Sequence, residues 1–231
     1  MKKTANNLLE KLFGYRFVRS SVKIRKEQPF PFLHSTARRF LYHKNIFSKI
    51  KEIDGSIVEC GVGLGRSLYN FSLLSELEGR GRKIWGFDSF EGFPETSNYD
   101  ETNRTGKNKG HYKTNKESVI NYLLNSGVEK DFLDKYIQLV KGFFPNSFDV
   151  YEKKPIALLH LDCDLYQSYI DCLDFFYPLV QEGGVIAFDD YNRTSWPGAK
   201  RAVDEFILGK EKVIKSEIID LYYLLKDSSL M

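Results

Sequence analysis

HLDCDLY at 160–166 and AFDDY at 187–191 decide how this chain folds. Each belongs to a short apolar run, IALLHLD (156–162) and GGVIAFDD (183–190), that ends in a pair of aspartates. Apolar runs of that length, bounded by polar residues, read as buried parallel strands. Asp162, Asp164, Asp189 and Asp190 then sit just past the carboxyl ends of two strands, where open α/β sheets bind ligands. Neighbouring strands lie about 4.8 Å apart, so carboxylates at their ends can share one ion. Four like charges that close raise one another's pKa values unless a cation neutralises them. Oxygen-only ligands suit a hard cation such as Mg²⁺ better than zinc.

Outward from these motifs the chain alternates strand and helix from about residue 56. SIVEC (56–60), KIWGFD (83–88) and KYIQLVKG (135–142) read as the three strands that precede the two aspartate runs. Helical patterns fall at about 67–78, 116–126, 166–180 and 198–208. Two further strands are expected near 212–218 and 220–225, closing the chain as an antiparallel hairpin. Such alternation predicts an α/β, doubly wound, mostly parallel sheet. The expected division is a helical, basic extension over 1–50 and one domain over 51–231. One polar stretch, ETSNYDETNRTGKNKGHYKTN (95–115), breaks the rhythm just past the second strand and is expected to form a lid over the ligand edge.

Composition narrows the partners. A hydrophobic fraction of 42% supports a real core, and a net charge of +3 over 231 residues is too small to argue for nucleic acid. The basic excess is local: Lys2, Lys3, Lys11, Arg16, Arg19, Lys23, Arg25 and Lys26 face only Glu10 and Glu27. Leu8, Leu9, Leu12, Phe13, Phe17 and Val18 recur among them at near-helical spacing. That stripe fits a helix packed on the domain or on a second copy in a homo-oligomer, with peripheral membrane contact through residues 1–30 as the other reading. No apolar core follows the early lysines, so a secretory signal is not expected. Cys60, Cys163 and Cys172 are odd in number, lack CxxC spacing and all fall inside expected strands or helix, which predicts buried thiols and a reducing cytoplasm.

VECGVGLGRS (58–67) places Gly61, Gly63 and Gly65 between the first strand and the first helix of this repeat. Glycines there permit sharp turns and let a ligand approach the main chain. The dinucleotide fingerprint GxGxxG fails, because Arg66 stands at its sixth position. Asp88, at the end of the second strand, is placed either to bind ribose hydroxyls or to cap the turn that follows it. Glu59 lies inside the first strand and needs a partner, a ligand ammonium or a backbone N–H. Lys141-Gly142-Phe143 follows the third strand, where ordinary core packing accounts for Phe143. His160 is expected in the core of the fourth strand and His111 in a solvated loop.

Taken in order, VECGVGLGRS, FDSFEGFP (87–94), HLDCDLYQS (160–168), GGVIAFDDY (183–191) and PGAKRAVDEF (197–206) resemble the TylF-type (macrocin) O-methyltransferases over about residues 52–225. The resemblance implies a Rossmann-like class I fold with seven strands, S-adenosylmethionine as cofactor and a divalent cation such as Mg²⁺. It implies Asp162, Asp189 and Asp190 as metal ligands and Asp164 as general base. Cofactor contacts would come from Glu59, Gly61, Gly63, Gly65, Ser67, Asp88, Ser89, Gly142 and Phe143. The family commonly has Gly between the acids of the first motif, where this chain has Cys163. The implied acceptor is a hydroxyl of a sugar, with a vicinal diol favoured, in an antibiotic, a polysaccharide or another glycoconjugate. Two alternatives stay open: a metal-dependent glycosyltransferase of the DxD type, matching Asp162-Cys163-Asp164, and a non-catalytic adaptor at a membrane surface.

Overall fold

Residues 34–100, 108–208 and 212–227 are described by the computed structural model of the chain. The segment 1–30, on which the membrane-contact reading rests, lies outside them. The five runs read as parallel strands pair in register: β1 (Ser56–Cys60), β2 (Ile84–Asp88), β3 (Ile137–Lys141), β4 (Ile156–Leu161) and β5 (Val180–Phe188). Two tail strands, β6 (Ile214–Lys215) and β7 (Tyr222–Leu225), complete a seven-stranded sheet of order β3-β2-β1-β4-β5-β7-β6. The first five are mutually parallel, and β7 runs antiparallel to both β5 and β6. The sequence order reverses at β1 and β4, the kind of switch point where open sheets hold ligands.

Both faces of the sheet are covered. On one side Val58, Leu159, Leu161, Ile186 and Phe188 pack against α5 (Tyr166–Phe176) and α6 (Pro197–Ile207). On the other, Ile57, Leu158, Val185 and Ala187 meet α1 (His34–Lys49), α2 (Arg66–Glu78) and α3 (Lys116–Asn125). Adjacent residues of one strand enter opposite layers because side chains alternate along a strand. That is why the runs are apolar throughout rather than alternating. Helix α1 seats Tyr42, Ile46 and Phe47 in the second layer. It falls within the 1–50 span given to the extension, yet from Ser35 onward it belongs to the same compact unit as the sheet.

Several boundaries differ from the expectation. The helix expected over 166–180 stops at Phe176, followed by a single tight turn over Tyr177–Leu179 that contains Pro178. Strand β5 begins at Val180 instead of 183, because Val180 pairs with Ile156 before a bulge absorbs the next residues and Val185 pairs with Leu158. A short helix, α4 (Lys130–Tyr136), precedes β3; it buries none of its residues, so it left no apolar stripe to read. Cys60, Cys163 and Cys172 are all free and buried, although Cys163 lies just past β4 and not within a strand or helix. No helix among the described residues is long and apolar enough to cross a membrane.

The stretch 95–115, which offered almost nothing to bury, is anchored at both described ends. Asp100 is 2% exposed and accepts hydrogen bonds from the Ser97 hydroxyl at 2.7 Å and from the Tyr166 N–H at the start of α5 at 2.8 Å. On the return, Phe93 N–H donates to His111 C=O and Gly110 N–H donates to Phe93 C=O, both at 2.9 Å.

Candidate active site

Main-chain hydrogen bonds extend the ladder beyond the strand ends and fix the site. Gly61 N–H donates to Phe87 C=O, Asp162 N–H to Cys60 C=O and Asp189 N–H to Leu161 C=O, at 2.8–2.9 Å. The glycine turn and both aspartate motifs therefore share one edge of the sheet. Gly61 has φ 91°, and a Cβ there would lie 1.9 Å from the Asp162 carbonyl oxygen, so no other residue fits where β1 and β4 touch. Gly63, with φ 53°, faces open space: a Cβ would meet nothing within 4 Å. That free approach to the main chain is what a bound cofactor requires.

Asp88 ties this turn to β2. Its Oδ2 accepts from Gly63 N–H at 2.8 Å, and its Oδ1 accepts from Phe90 N–H at 2.7 Å. Burial holds its pKa above the usual carboxylate value, and the backbone donors offset only part of that rise. Both readings of Asp88 thus meet in one side chain: it caps the following turn and also holds the glycine loop. Ser89 closes the same turn, its hydroxyl donating to Gly92 C=O at 2.7 Å. Gly142, with φ 154°, donates to Asp88 C=O at 3.0 Å, which brings the end of β3 beside this region. Among the described residues Phe143 stacks on no other ring, whereas Phe144 stacks on Phe148 at 5.0 Å.

Glu59 finds other partners than expected. It is fully buried, and its Oε1 accepts from the Ser67 hydroxyl and lies 3.1 Å from His160 Nδ1, across the β1–β4 pair. Ser67 therefore turns its hydroxyl inward to Glu59. His160 is a core residue as expected by burial, but it sits in a polar layer. Among the described residues its Nε2 has no hydrogen-bond partner, and it lies 4.0 Å from Asp189 Oδ1. Beneath it His43 of α1 stacks edge-on, 5.4 Å away, with Asn70 Nδ2 3.0 Å from its Nδ1.

Beyond β4 and β5 the carboxylates converge. Asp162, Asp189 and Asp190 each offer an oxygen, and these oxygens all lie within 4.8 Å of one another. Burial and then the neighbouring acids, Asp189 and Asp190, push the Asp162 carboxyl well up. Burial and then Asp164 and Asp189 do the same to Asp190. An all-oxygen donor set under mutual repulsion fits a hard divalent cation, which would remove the repulsion by binding the ionised forms. Asp164 stands apart from these three. It has φ 59° and is the centre of a three-residue turn closed by Leu165 N–H donating to Cys163 C=O at 2.6 Å. Such turns are strained, and strained residues gather at functional sites. The Asp164 N–H donates to Asp190 Oδ2 at 3.1 Å, which locks the turn onto the acid cluster.

Three supporting residues left no readable signal. Tyr169 is fully buried; its hydroxyl donates to Leu161 C=O at 3.0 Å and accepts from Asp190 N–H at 3.3 Å. Arg193 Nε donates to Asp189 C=O at 3.0 Å. Arg39, from α1, sets its guanidinium fork on the Asp189 carboxylate, with Nη2 3.2 Å from Oδ2.

Comparisons with known proteins place the chain in a family and a fold. The family model described as Macrocin-O-methyltransferase (TylF) matches residues 37–223. Demethyldecarbamoylnovobiocin O-methyltransferase of Streptomyces niveus is 30% identical over 158 residues, 67% of this chain and 58% of that protein. Mycinamicin III 3''-O-methyltransferase of Micromonospora griseorubida is 28% identical over 160 residues, 67% of this chain and 61% of that one. The matched region thus spans less than two thirds of these curated relatives. Among solved structures, the calicheamicin methyltransferase CalS11 superposes with a TM-score of 0.75 at 22% identity, covering 96% of this chain and 91% of its own. The O-methyltransferase NovP gives 0.69 at 24% identity, covering 82% and 80%. These likenesses establish the class I methyltransferase fold. With a family match spanning both the glycine turn and the two aspartate motifs, the chain belongs to the macrocin-O-methyltransferase (TylF) family.

Proposed function

We propose that this protein is a divalent-cation-dependent O-methyltransferase that moves a methyl group from S-adenosylmethionine to a sugar hydroxyl. The observation that carries the reading is the shared sheet edge: an open glycine turn held by Asp88 lies beside three converging carboxylates and a strained fourth. A relative of Streptomyces olivaceus, 29% identical over 144 residues, is named for 4'-O-methylation of a rhamnosyl-tetracenomycin, which supports a sugar acceptor. The DxD glycosyltransferase reading accounts for neither the glycine turn nor the second aspartate motif.

When bound, S-adenosylmethionine supplies the methyl group and a cation such as Mg²⁺ lowers the pKa of the acceptor hydroxyl. The residues of the chain then have distinct tasks. Asp162, Asp189 and Asp190 would hold the cation. The Gly61–Gly65 turn, Asp88 and the segment Gly142-Phe143 would hold the cofactor, with Ser89 and Glu59 shaping its walls. Asp164 would accept the hydroxyl proton, as a base held in place by its own turn. Because the cofactor would supply a methyl group whose leaving group is a neutral thioether, the chain would need the Asp164 base and no further acid. Fixing donor and acceptor on one rigid edge supplies much of the remaining rate by orientation.

The test is transfer of labelled methyl from S-adenosylmethionine to a panel of glycosides and nucleotide sugars with Mg²⁺ or with EDTA. Transfer with Mg²⁺ and none with EDTA is the expected result. Undiminished transfer in EDTA would refute the metal role.

A further inference from the structure

Arg39 has no task in the chemistry above, yet it occupies the acid cluster. Its side chain is 29% exposed and its fork spans both Asp189 oxygens, one nitrogen on Oδ1 and the other 3.2 Å from Oδ2. A planar guanidinium matched to a carboxylate in this way is the strong form of the pair. Helix α1 does not need it as a tether. Tyr42, His43, Ile46 and Phe47 are already buried, Arg38 donates to Ile218 C=O at 2.7 Å, and the Tyr42 hydroxyl donates to Tyr222 C=O at 3.1 Å. Arg193 also faces Asp189, but chiefly through its main-chain oxygen, its Nη2 standing 3.5 Å from Oδ2. A cation that takes Asp189 as ligand must therefore share its carboxylate with the Arg39 charge or displace it.

We propose that Arg39 is, beside Arg193, a resident counter-cation of the carboxylate cluster and competes with the divalent cation for Asp189, so that it lowers the affinity of the metal site. The proposal rests on the reading of Asp162, Asp189 and Asp190 as metal ligands. Arg39 acts through Asp189 and is a positioning residue. Because coupling of two ligands to one group is reciprocal, the cation also loosens the hold of Asp189 on α1.

Calorimetric titration of the full chain with Mn²⁺ tests this, using wild type, Arg39→Met and Arg39→Lys. Arg39→Met should bind Mn²⁺ on the order of tenfold more tightly, a coupling of ordinary size. Arg39→Lys should fall between, because an ammonium keeps the charge without the fork. Tighter binding is a change that mere loss of helix packing would not produce. Equal or weaker binding by Arg39→Met, with wild-type binding intact, overturns the proposal alone; should that variant not fold, unchanged affinity in Arg39→Lys does the same. Absence of Mn²⁺ binding in wild type and both variants overturns the metal reading, and this proposal with it.

Discussion

Two neighbouring parts of one sheet edge treat their carboxylates in opposite ways. At the ends of β1 and β2, Asp88 is answered by the protein itself: Gly63 and Phe90 each donate a main-chain N–H to it. At the ends of β4 and β5, Asp162, Asp189 and Asp190 chiefly face one another, with Arg39 and Arg193 as their cations. The first arrangement is complete and leaves its ligand only an open turn to enter. The second is deficient in positive charge, and burial makes that deficiency costly. A carboxylate satisfied by backbone donors organises a loop; carboxylates left to repel each other ask for an ion.

The largest expected effect breaks the second region at its fourth acid. Asp164→Asn should lower methyl transfer by about 10²- to 10⁴-fold, the usual contribution of a positioned base, with Mn²⁺ affinity little changed. Turnover near the wild-type rate would remove Asp164 from the mechanism. Next come the glycines at the boundary between the regions. Gly61→Ala forces a Cβ into the Asp162 carbonyl and should destabilise the fold by about 3 kcal/mol or more, seen as a drop in urea midpoint. Gly63→Ala meets no atom and should lose only about 1–2 kcal/mol for its left-handed backbone, while weakening S-adenosylhomocysteine binding. Equal losses of stability in the two variants would contradict the distinction between a packing glycine and a ligand-facing one.

The smallest effect at neutral pH concerns the polar layer under β4. Burial first, then His160 and Arg39, hold the His43 imidazole well below its usual 6.5. Its folded-state pKa is depressed, so the unfolded chain binds the extra proton. Above about 6.5 the residue is neutral in both states and has no effect; below it, stability falls by up to about 1.4 kcal/mol per pH unit. His43→Phe should therefore flatten the loss of thermal stability between pH 6.5 and 4.5. An unaltered slope would show that His43 titrates freely.

Much of this arrangement was legible in the sequence because burial on both faces leaves each strand apolar from end to end. The same runs carried their aspartates to the ligand edge, and the glycine turn announced where the main chain bends. What stayed hidden depends on distance along the chain. Arg39 meets Asp189 across 150 positions, and no local pattern connects them; only the surplus of acids hinted that a cation must come from elsewhere. Tyr169 looked like any aromatic on a helix, and Asp100 like any acid in a polar loop. Glu59 was rightly read as needing a partner, but its partners are the Ser67 hydroxyl and His160 on the next strand, the latter a register contact that strand runs alone do not fix.

Separate calorimetric titrations of wild type, Asp162→Asn and Asp88→Ala with Mn²⁺ and with S-adenosylhomocysteine test the two-region account most directly. Asp162→Asn should weaken Mn²⁺ on the order of 10²-fold, since carboxylate count sets such affinities, and leave S-adenosylhomocysteine nearly unchanged. Asp88→Ala should do the reverse. Wild-type Mn²⁺ affinity in Asp162→Asn would contradict the account.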